Sequence, residues 1–560
     1  MIAETLKTHI AETLERLGFL GVSFVLEHPT DLSHGDYATN VALVVAKQMG
    51  TSPQGAAETI VNNLEVSSII SKVSIAGPGF INFTLSDTTV GKLTHQILEQ
   101  GKDFGTVQGL SGKKVLIEHS SPNLFKPFHI GHMMNNAIGE SLVRLFRASG
   151  ADVATMSFPS DISLGVAKAI FIILEKYGKD FTPTEISVLG DAYAEGTRRY
   201  DEDASIHVRV KEIADNLYTQ NTTPEWELFQ KCKKFNIEYF ESVVAKLGSH
   251  FDSYIYESEA GEVGKKIVME NIPRVFTESE GAVVYIPDES KKYLSTSVFI
   301  NSQGNPTYEA KDVGLLDLKF SKYSPDLSLF VTDHEQIPHF NNVLDAAYNI
   351  NQKWADNSRH VPHGRMSFKG QKMSSRLGNT PLVTDMLNLV LEEVNERSGD
   401  RAIDEVTKES IAIGAIKFAI LRAKPGMNIN FDPETSLSFE GDSGPYLQYT
   451  HARITSVLEK AKTEGLQPNL LPGVEITEPE RLLYRLPEFV VRATNEYAPN
   501  YIVTYLLEIT RSFNSFYGSH KIIDAENKEV SEHRLAIARA TQTVLKNGLQ
   551  LLGIVAPEKM

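Results

Sequence analysis

A doubly wound parallel-sheet α/β domain, with a small α/β unit before it and an all-helical bundle after it, is the fold this sequence predicts. Three observations predict it. A short apolar segment, Val115–Glu118, runs through a loop rich in Ser, Pro and His into a helical pattern, the strand–loop–helix order that opens such a domain. Leu327–Thr332 reads as a second buried parallel strand. Beyond about residue 405 strand signals fade and apolar residues recur at helical spacing. The chain divides accordingly into 1–105, 106–404 and 405–560.

In the first unit Ile2, Leu6, Ile10 and Leu14 recur every four residues, the mark of an amphipathic helix. HGDYATN (34–40) and AGPGFINF (76–83) follow as turn-rich pieces, the second a Gly-Pro turn entering a strand. The polar run 101–114 reads as a linker. In the middle unit the helix after the first strand carries Ile138, Leu142, Leu145 and Phe146 on one face and stops at Gly150. Lys369–Thr380 reads as a polar, glycine-containing loop. In the last unit Ile502, Tyr505, Leu506, Ile509, Phe513 and Phe516 share one helical face, and Leu545, Leu549 and Leu552 form another stripe, as core packing in a bundle requires.

The 560 residues are 41% hydrophobic and 22% charged, an ordinary globular mix. A net charge of −16 argues against a generic polyanion binder, though basic residues can still gather on one face. The one cysteine, Cys232, can form neither an internal disulfide nor a cysteine-based zinc site. No stretch approaches the roughly 18 apolar residues of a membrane span, and the N-terminus lacks a secretory pattern. A cytoplasmic protein that contacts no membrane is expected.

Two segments carry chemistry. In SSPNLFKPFHIGHMMNNAIGES (120–141), His129 and His132 flank Gly131 where a helix should start. A helix N-terminus offers unpaired N–H groups to phosphate, and two imidazoles can donate to phosphoryl oxygens as charge grows. In KGQKMSSRLGN (369–379), Lys372, Ser374, Ser375 and Arg376 sit on a loop that could close over a triphosphate. Each segment alone has a bland reading, a capped helix and a solvated basic turn.

Together, His-Ile-Gly-His after a first strand and Lys-Met-Ser-Ser-Arg far downstream resemble the two hallmark motifs of class I aminoacyl-tRNA synthetases. EHSSPN (118–123), TYEAKD (307–312), GDSGPYLQYTHAR (441–453) and LLGIVAPEKM (551–560) are similar to the arginyl branch, as are HGDYATN and AGPGFINF to its extra N-terminal domain. The resemblance extends over the whole chain. It implies a Rossmann-like catalytic domain with insertions, a helical anticodon-binding bundle, and ATP-dependent joining of L-arginine to tRNA(Arg) through an adenylate. It implies ATP with magnesium, no zinc, and a monomer.

Carried over residue by residue, the resemblance gives His129, His132, Lys372 and Arg376 catalytic roles. Gly131, Met373, Ser374 and Ser375 join them around ATP, apart from Arg376. Glu118, Tyr308 and Asp312 would line the arginine side-chain pocket, and Asn123 and Gln336 would hold its backbone groups with Ser121 nearby. A guanidinium requires carboxylates, ideally beside an aromatic face. Tyr446, Tyr449 and Arg453, with His451 between them, would meet the transfer RNA or brace the bundle. The family's second motif usually ends Lys-Ser, and Ser375 and Arg376 occupy those two places; arginine keeps the charge but changes the geometry, so the division of the phosphate contact between Lys372 and Arg376 stays open. FPSDISLGVAK (158–168) lacks the tryptophan many members carry there, and Asp161 is given no catalytic role. A relative that binds transfer RNA without activating arginine is the alternative.

Overall fold

The computed structural model describes residues 1–65, 68–220, 222–369, 382–398 and 403–560. At its centre lie five strands: β1 (Lys114–Glu118), β2 (Asp152–Ser157), β3 (Ser253–Tyr254), β4 (Leu327–Asp333) and β5 (Ser358–His363). They form one sheet in the order β5-β4-β1-β2-β3, parallel throughout. The two strands read from the sequence are its central neighbours, with Val115 opposite Leu327. Val115, Leu116, Ile117, Leu329, Phe330 and Val331 are all buried, as strands covered on both faces require. The chain leaves β1 toward β2 on one side, while β4 lies on the other. That reversal opens a crevice at the strand C-termini.

Helix α1 (Ile130–Ala148) follows β1, with Ile138, Leu142, Leu145 and Phe146 buried. Gly150, at φ +89°, takes the left-handed conformation that ends helices cheaply. Asn135 of α1 clamps the crevice: its Oδ1 accepts from Ser120 N–H at 2.8 Å and its Nδ2 donates to Val331 O at 2.5 Å. Two insertions interrupt the sheet. Four helices (Leu164–Tyr177, Ile186–Glu202, His207–Tyr218, Pro224–Lys246) pack around their own core, where Cys232 is buried. Helix Glu257–Glu270 and a three-stranded antiparallel sheet then precede α2 (Tyr308–Tyr323). After β4 comes α3 (Ile337–Ile350).

The N-terminal unit pairs helix Ile2–Arg16, with Leu6, Ile10 and Leu14 buried, with a four-stranded antiparallel sheet. HGDYATN and AGPGFINF supply its two central strands, Tyr37–Thr39 and Phe80–Leu85. The unit docks on the C-terminal helices. Tyr484 enters its core, and Glu488 accepts from Tyr37 OH at 2.7 Å and meets His28 Nε2 at 3.0 Å.

The C-terminal bundle buries both predicted stripes. Strand structure nevertheless continues past 405: Ile429–Phe431 pairs in parallel with Met366–Phe368, a strand too short to leave a periodic signal. Helix α1 also grips the end of the bundle. Ser141 Oγ donates to Leu551 O at 3.0 Å and Arg144 Nη1 to Gln550 O at 2.9 Å. Lys417 beside them donates to Leu247 O at 2.6 Å and Gly553 O at 2.8 Å, and burial pushes its ammonium down to about 7. Among the described residues no helix is long and apolar enough to cross a membrane.

Candidate active site

The chain turns sharply between β1 and α1. Ser120 and Phe125, both buried, adopt positive φ (57° and 66°), and Asn236 Oδ1 accepts from Phe125 N–H at 2.6 Å. Such conformations persist in non-glycine residues only where the surroundings impose them. The turn delivers His129 to the N-cap of α1. There His129 Nδ1 accepts from Gly131 N–H at 3.1 Å, and His132 Nδ1 accepts from His129 N–H at 3.2 Å.

A ring nitrogen that accepts carries no proton, so each neutral imidazole keeps its proton on Nε2. Burial, helped by Lys126, holds His129 below its usual range. Burial, then the His129 and His363 rings and Lys126, hold His132 well below it. The two rings stack at 3.8 Å, with Phe128 behind His132 at 4.8 Å. Two neutral N–H donors therefore sit at the positive end of a 19-residue helix, an arrangement suited to phosphoryl oxygens. Gly131 preserves it: a Cβ there would lie 3.0 Å from His129 Cε1.

Lys372, Met373, Ser374, Ser375 and Arg376 lie outside the described residues. The flanks of their segment do not. Lys369 N–H donates to Phe431 O at 2.9 Å and Lys369 Nζ meets Asp432 at 2.8 Å. Leu382 bridges to His129, and Val383 N–H donates to Phe128 O at 3.0 Å. Leu382 and Val383 thus lie directly against the first motif.

The carboxylates predicted for a guanidinium have internal partners. Glu118, at the end of β1, is buried in an ion pair with the buried Lys319 of α2. Ser121 Oγ lies 3.5 Å from Glu118 Oε1 and accepts from Phe158 N–H at 3.0 Å. Asp312 Oδ2 meets His339 Nε2 at 2.5 Å, and Glu309 Oε1 lies 3.7 Å from His339 Nδ1. Burial works against a charge on His339, but the Asp312 and Glu309 carboxylates prevail and raise it to about 9. A cavity of about 20 Å³ separates Glu118, Asp312, Lys319, Phe330 and Phe340. Tyr308, one turn before Asp312, is exposed, as are Asn123 and Gln336.

The fold therefore brings Glu118, Ser121 and Asp312 together and leaves Asn123, Tyr308 and Gln336 open to solvent. Sequence reasoning missed Lys319 and His339. His339 lies three residues after Gln336, within TDHEQIPHF (332–340). Asp161 is buried and structural: it holds Lys233 at 2.8 Å and both Ser258 N–H and Oγ at 3.0 and 2.8 Å, tying the two insertions together.

In the bundle, the Arg453 guanidinium lies over the Tyr449 ring at 4.7 Å and the Tyr517 ring at 5.6 Å. Tyr446 OH accepts from Asn514 at 2.9 Å. His451 instead faces inward, donating through Nδ1 to Pro557 O at 2.9 Å. Among the described residues no group of three or more His, Cys, Asp or Glu side chains is placed to hold a metal ion.

Three family models match the chain. The class I (R) tRNA synthetase catalytic domain covers residues 93–432, the DALR anticodon binding domain 447–560, and the arginyl tRNA synthetase N terminal domain 4–85. The arginine–tRNA ligase of Clostridium perfringens is 30% identical over 578 aligned positions, covering 100% of this chain and 99% of the relative. That of Treponema denticola is 29% identical, covering 100% and 98%. The fold is shared with the Thermus thermophilus arginyl-tRNA synthetase (TM-score 0.83, 24% identity, 100% of both chains). It is shared also with the Plasmodium falciparum enzyme (TM-score 0.80, 21% identity, 100% and 99%).

Proposed function

This chain belongs to the arginyl-tRNA synthetases of class I, and from that premise we propose that it uses ATP to join L-arginine to tRNA(Arg), releasing AMP and pyrophosphate. The observation that carries the chemistry is the imidazole pair at the start of α1, with both Nδ1 atoms engaged by backbone N–H groups. An oxygen of the arginine carboxylate attacks the α-phosphorus of ATP. The bond to the bridging oxygen breaks, and pyrophosphate leaves as arginyl-adenylate forms. His129 and His132 donate through Nε2 to oxygens on which charge grows. Gly131 lets the nucleotide approach the helix start. Lys372 and Arg376, with Met373, Ser374 and Ser375, complete the triphosphate contacts from the second motif. The terminal ribose hydroxyl of the transfer RNA then attacks the adenylate carbonyl and AMP departs. The rate comes from positioning and electrostatics, without a covalent protein intermediate.

Magnesium fits this reading as a companion of the ATP phosphates, where it would share their charge. Glu118, Ser121, Asn123, Tyr308, Asp312 and Gln336 form the arginine pocket in this reading. Its support is the convergence of Glu118 and Asp312 at the crevice and the place of Tyr308 one turn before Asp312. Tyr446, Tyr449 and Arg453 meet the anticodon loop, supported by the Arg453–Tyr449 stack, since unpaired bases stack on aromatic and guanidinium planes. The units 1–105, 106–404 and 405–560 contact the transfer RNA elbow, carry out catalysis and read the anticodon. The lone, buried Cys232 accords with a reducing cytoplasm, and the chain is taken as a monomer.

The test is attachment of labelled arginine to total transfer RNA with ATP and magnesium, against a lysine control and a His129→Ala variant. Arginine-specific charging that collapses in the variant is expected. A folded protein that binds transfer RNA without charging it would overturn the proposal.

A further inference from the structure

We infer that His339 is a positioning residue for arginine: by occupying one oxygen of Asp312 it fixes the other as the acceptor that meets the guanidinium. The inference rests on the reading of Asp312 as an arginine ligand.

Three observations carry it. First, the ring is held from both ends. Nε2 lies 2.5 Å from Asp312 Oδ2 and Nδ1 lies 3.7 Å from Glu309 Oε1. Nitrogens facing two carboxylates both carry protons, so the ring is a cation, and Phe340 packs against it edge-on at 5.0 Å.

Second, His339 removes the freedom that Asp312 has left. The backbone of α2 is locked against helix Glu257–Glu270, where a Cβ at Gly314 would lie 2.0 Å from Ala260 O and one at Gly264 would lie 1.8 Å from Ala310 O. The terminal torsion of an aspartate, however, is broad and two-fold. A charge-assisted hydrogen bond from α3, across the crossover from α2, settles that torsion.

Third, the charges match the substrate. The Glu118, Glu309 and Asp312 carboxylates face the Lys319 and His339 cations, while Lys311 and Glu257 pair with each other at 2.8 Å. One net negative charge remains, which one guanidinium neutralises.

The experiment compares the full-length protein with H339L, H339Q and D312N in transfer RNA charging, varying arginine and ATP separately. Loss of a hydrogen bond to a charged group predicts that H339L raises the arginine KM about ten- to hundredfold. The ATP KM should stay within about twofold, since the ATP contacts lie on α1 and the second motif. H339Q, whose amide N–H still reaches Asp312, should recover most of the loss. Should H339L not fold, H339N takes its place, because its shorter amide cannot span the gap. An unchanged arginine KM, parallel rises in both KM values, or failure of H339Q to rescue would each overturn the inference. An unchanged arginine KM in D312N would instead remove the pocket reading beneath it, and the inference with it.

Discussion

Gly314→Ala tests whether the arginine pocket depends on how closely two helices approach. A Cβ at Gly314 would sit 2.0 Å from Ala260 O and 2.5 Å from Gly264 N. Both are backbone atoms, so neither can rotate aside. Ordinary contact begins near 3.5 Å, so α2 and helix Glu257–Glu270 must part by about 1.5 Å. Overpacking of this kind costs about 1–3 kcal/mol of stability. The first two turns of α2 carry Tyr308 and Asp312, and misplacing a binding group by about 1 Å can cost about a hundredfold in rate. The expected outcome is a fall of about a hundredfold in kcat/KM for arginine, equivalent to about 2.7 kcal/mol. Urea unfolding should show a loss of about 1–3 kcal/mol. Gly91→Ala is the control. It lies within helix Asp87–Gln100 with nothing within 4 Å of its would-be Cβ, so it should gain up to about 1 kcal/mol and leave kcat/KM alone. A Gly314→Ala protein with parental stability and parental arginine kinetics would refute the reasoning, because α2 would then not be placed by glycine contact.

Three further outcomes are expected. Lys319→Met strips the buried partner from Glu118 and should cost about 3–5 kcal/mol in urea unfolding, much of it recovered when Glu118→Leu removes the stranded carboxylate as well. His339 is raised from 6.5 to about 9 in the folded protein. Its stabilisation is therefore fully present below pH 6.5 and lost as pH rises through 9. The unfolding free-energy difference between parent and H339L should shrink by about 3 kcal/mol between pH 6 and 10; a pH-independent difference would count against the charged ring. Tyr449→Ala or Arg453→Ala should weaken transfer RNA binding about ten- to hundredfold in a filter assay, the worth of about 1–3 kcal/mol per stacked base. The arginine KM should not move, and parental binding in both variants would remove the stacking platform from the interface.

Local order was legible in the chain because it is written by near neighbours. The spacing of Leu6, Ile10 and Leu14 marks a helix without reference to the rest of the molecule, and the stripe from Ile502 to Phe516 does the same. Val115–Glu118 followed by a helix announced the centre of the sheet, and the two motifs with their flanking runs announced the chemistry. The strand Ile429–Phe431 left no such mark, since three residues carry no period. Partners left none either. Glu118 and Asp312 were legible as residue types, but Lys319, 201 positions from Glu118, and His339, 27 from Asp312, reach them only because crossover helices return to the crevice. His451 lies between the half-buried Tyr449 and Arg453 in sequence, yet helix packing turns it fully inward onto Pro557. The proton positions on His129 and His132 depend on backbone N–H groups at the first turn of α1. Periodicity and residue type are properties of short stretches of chain, whereas ion pairs, tautomers and the face a side chain presents depend on distances through space, which exist only once the sheet and its crossovers have formed.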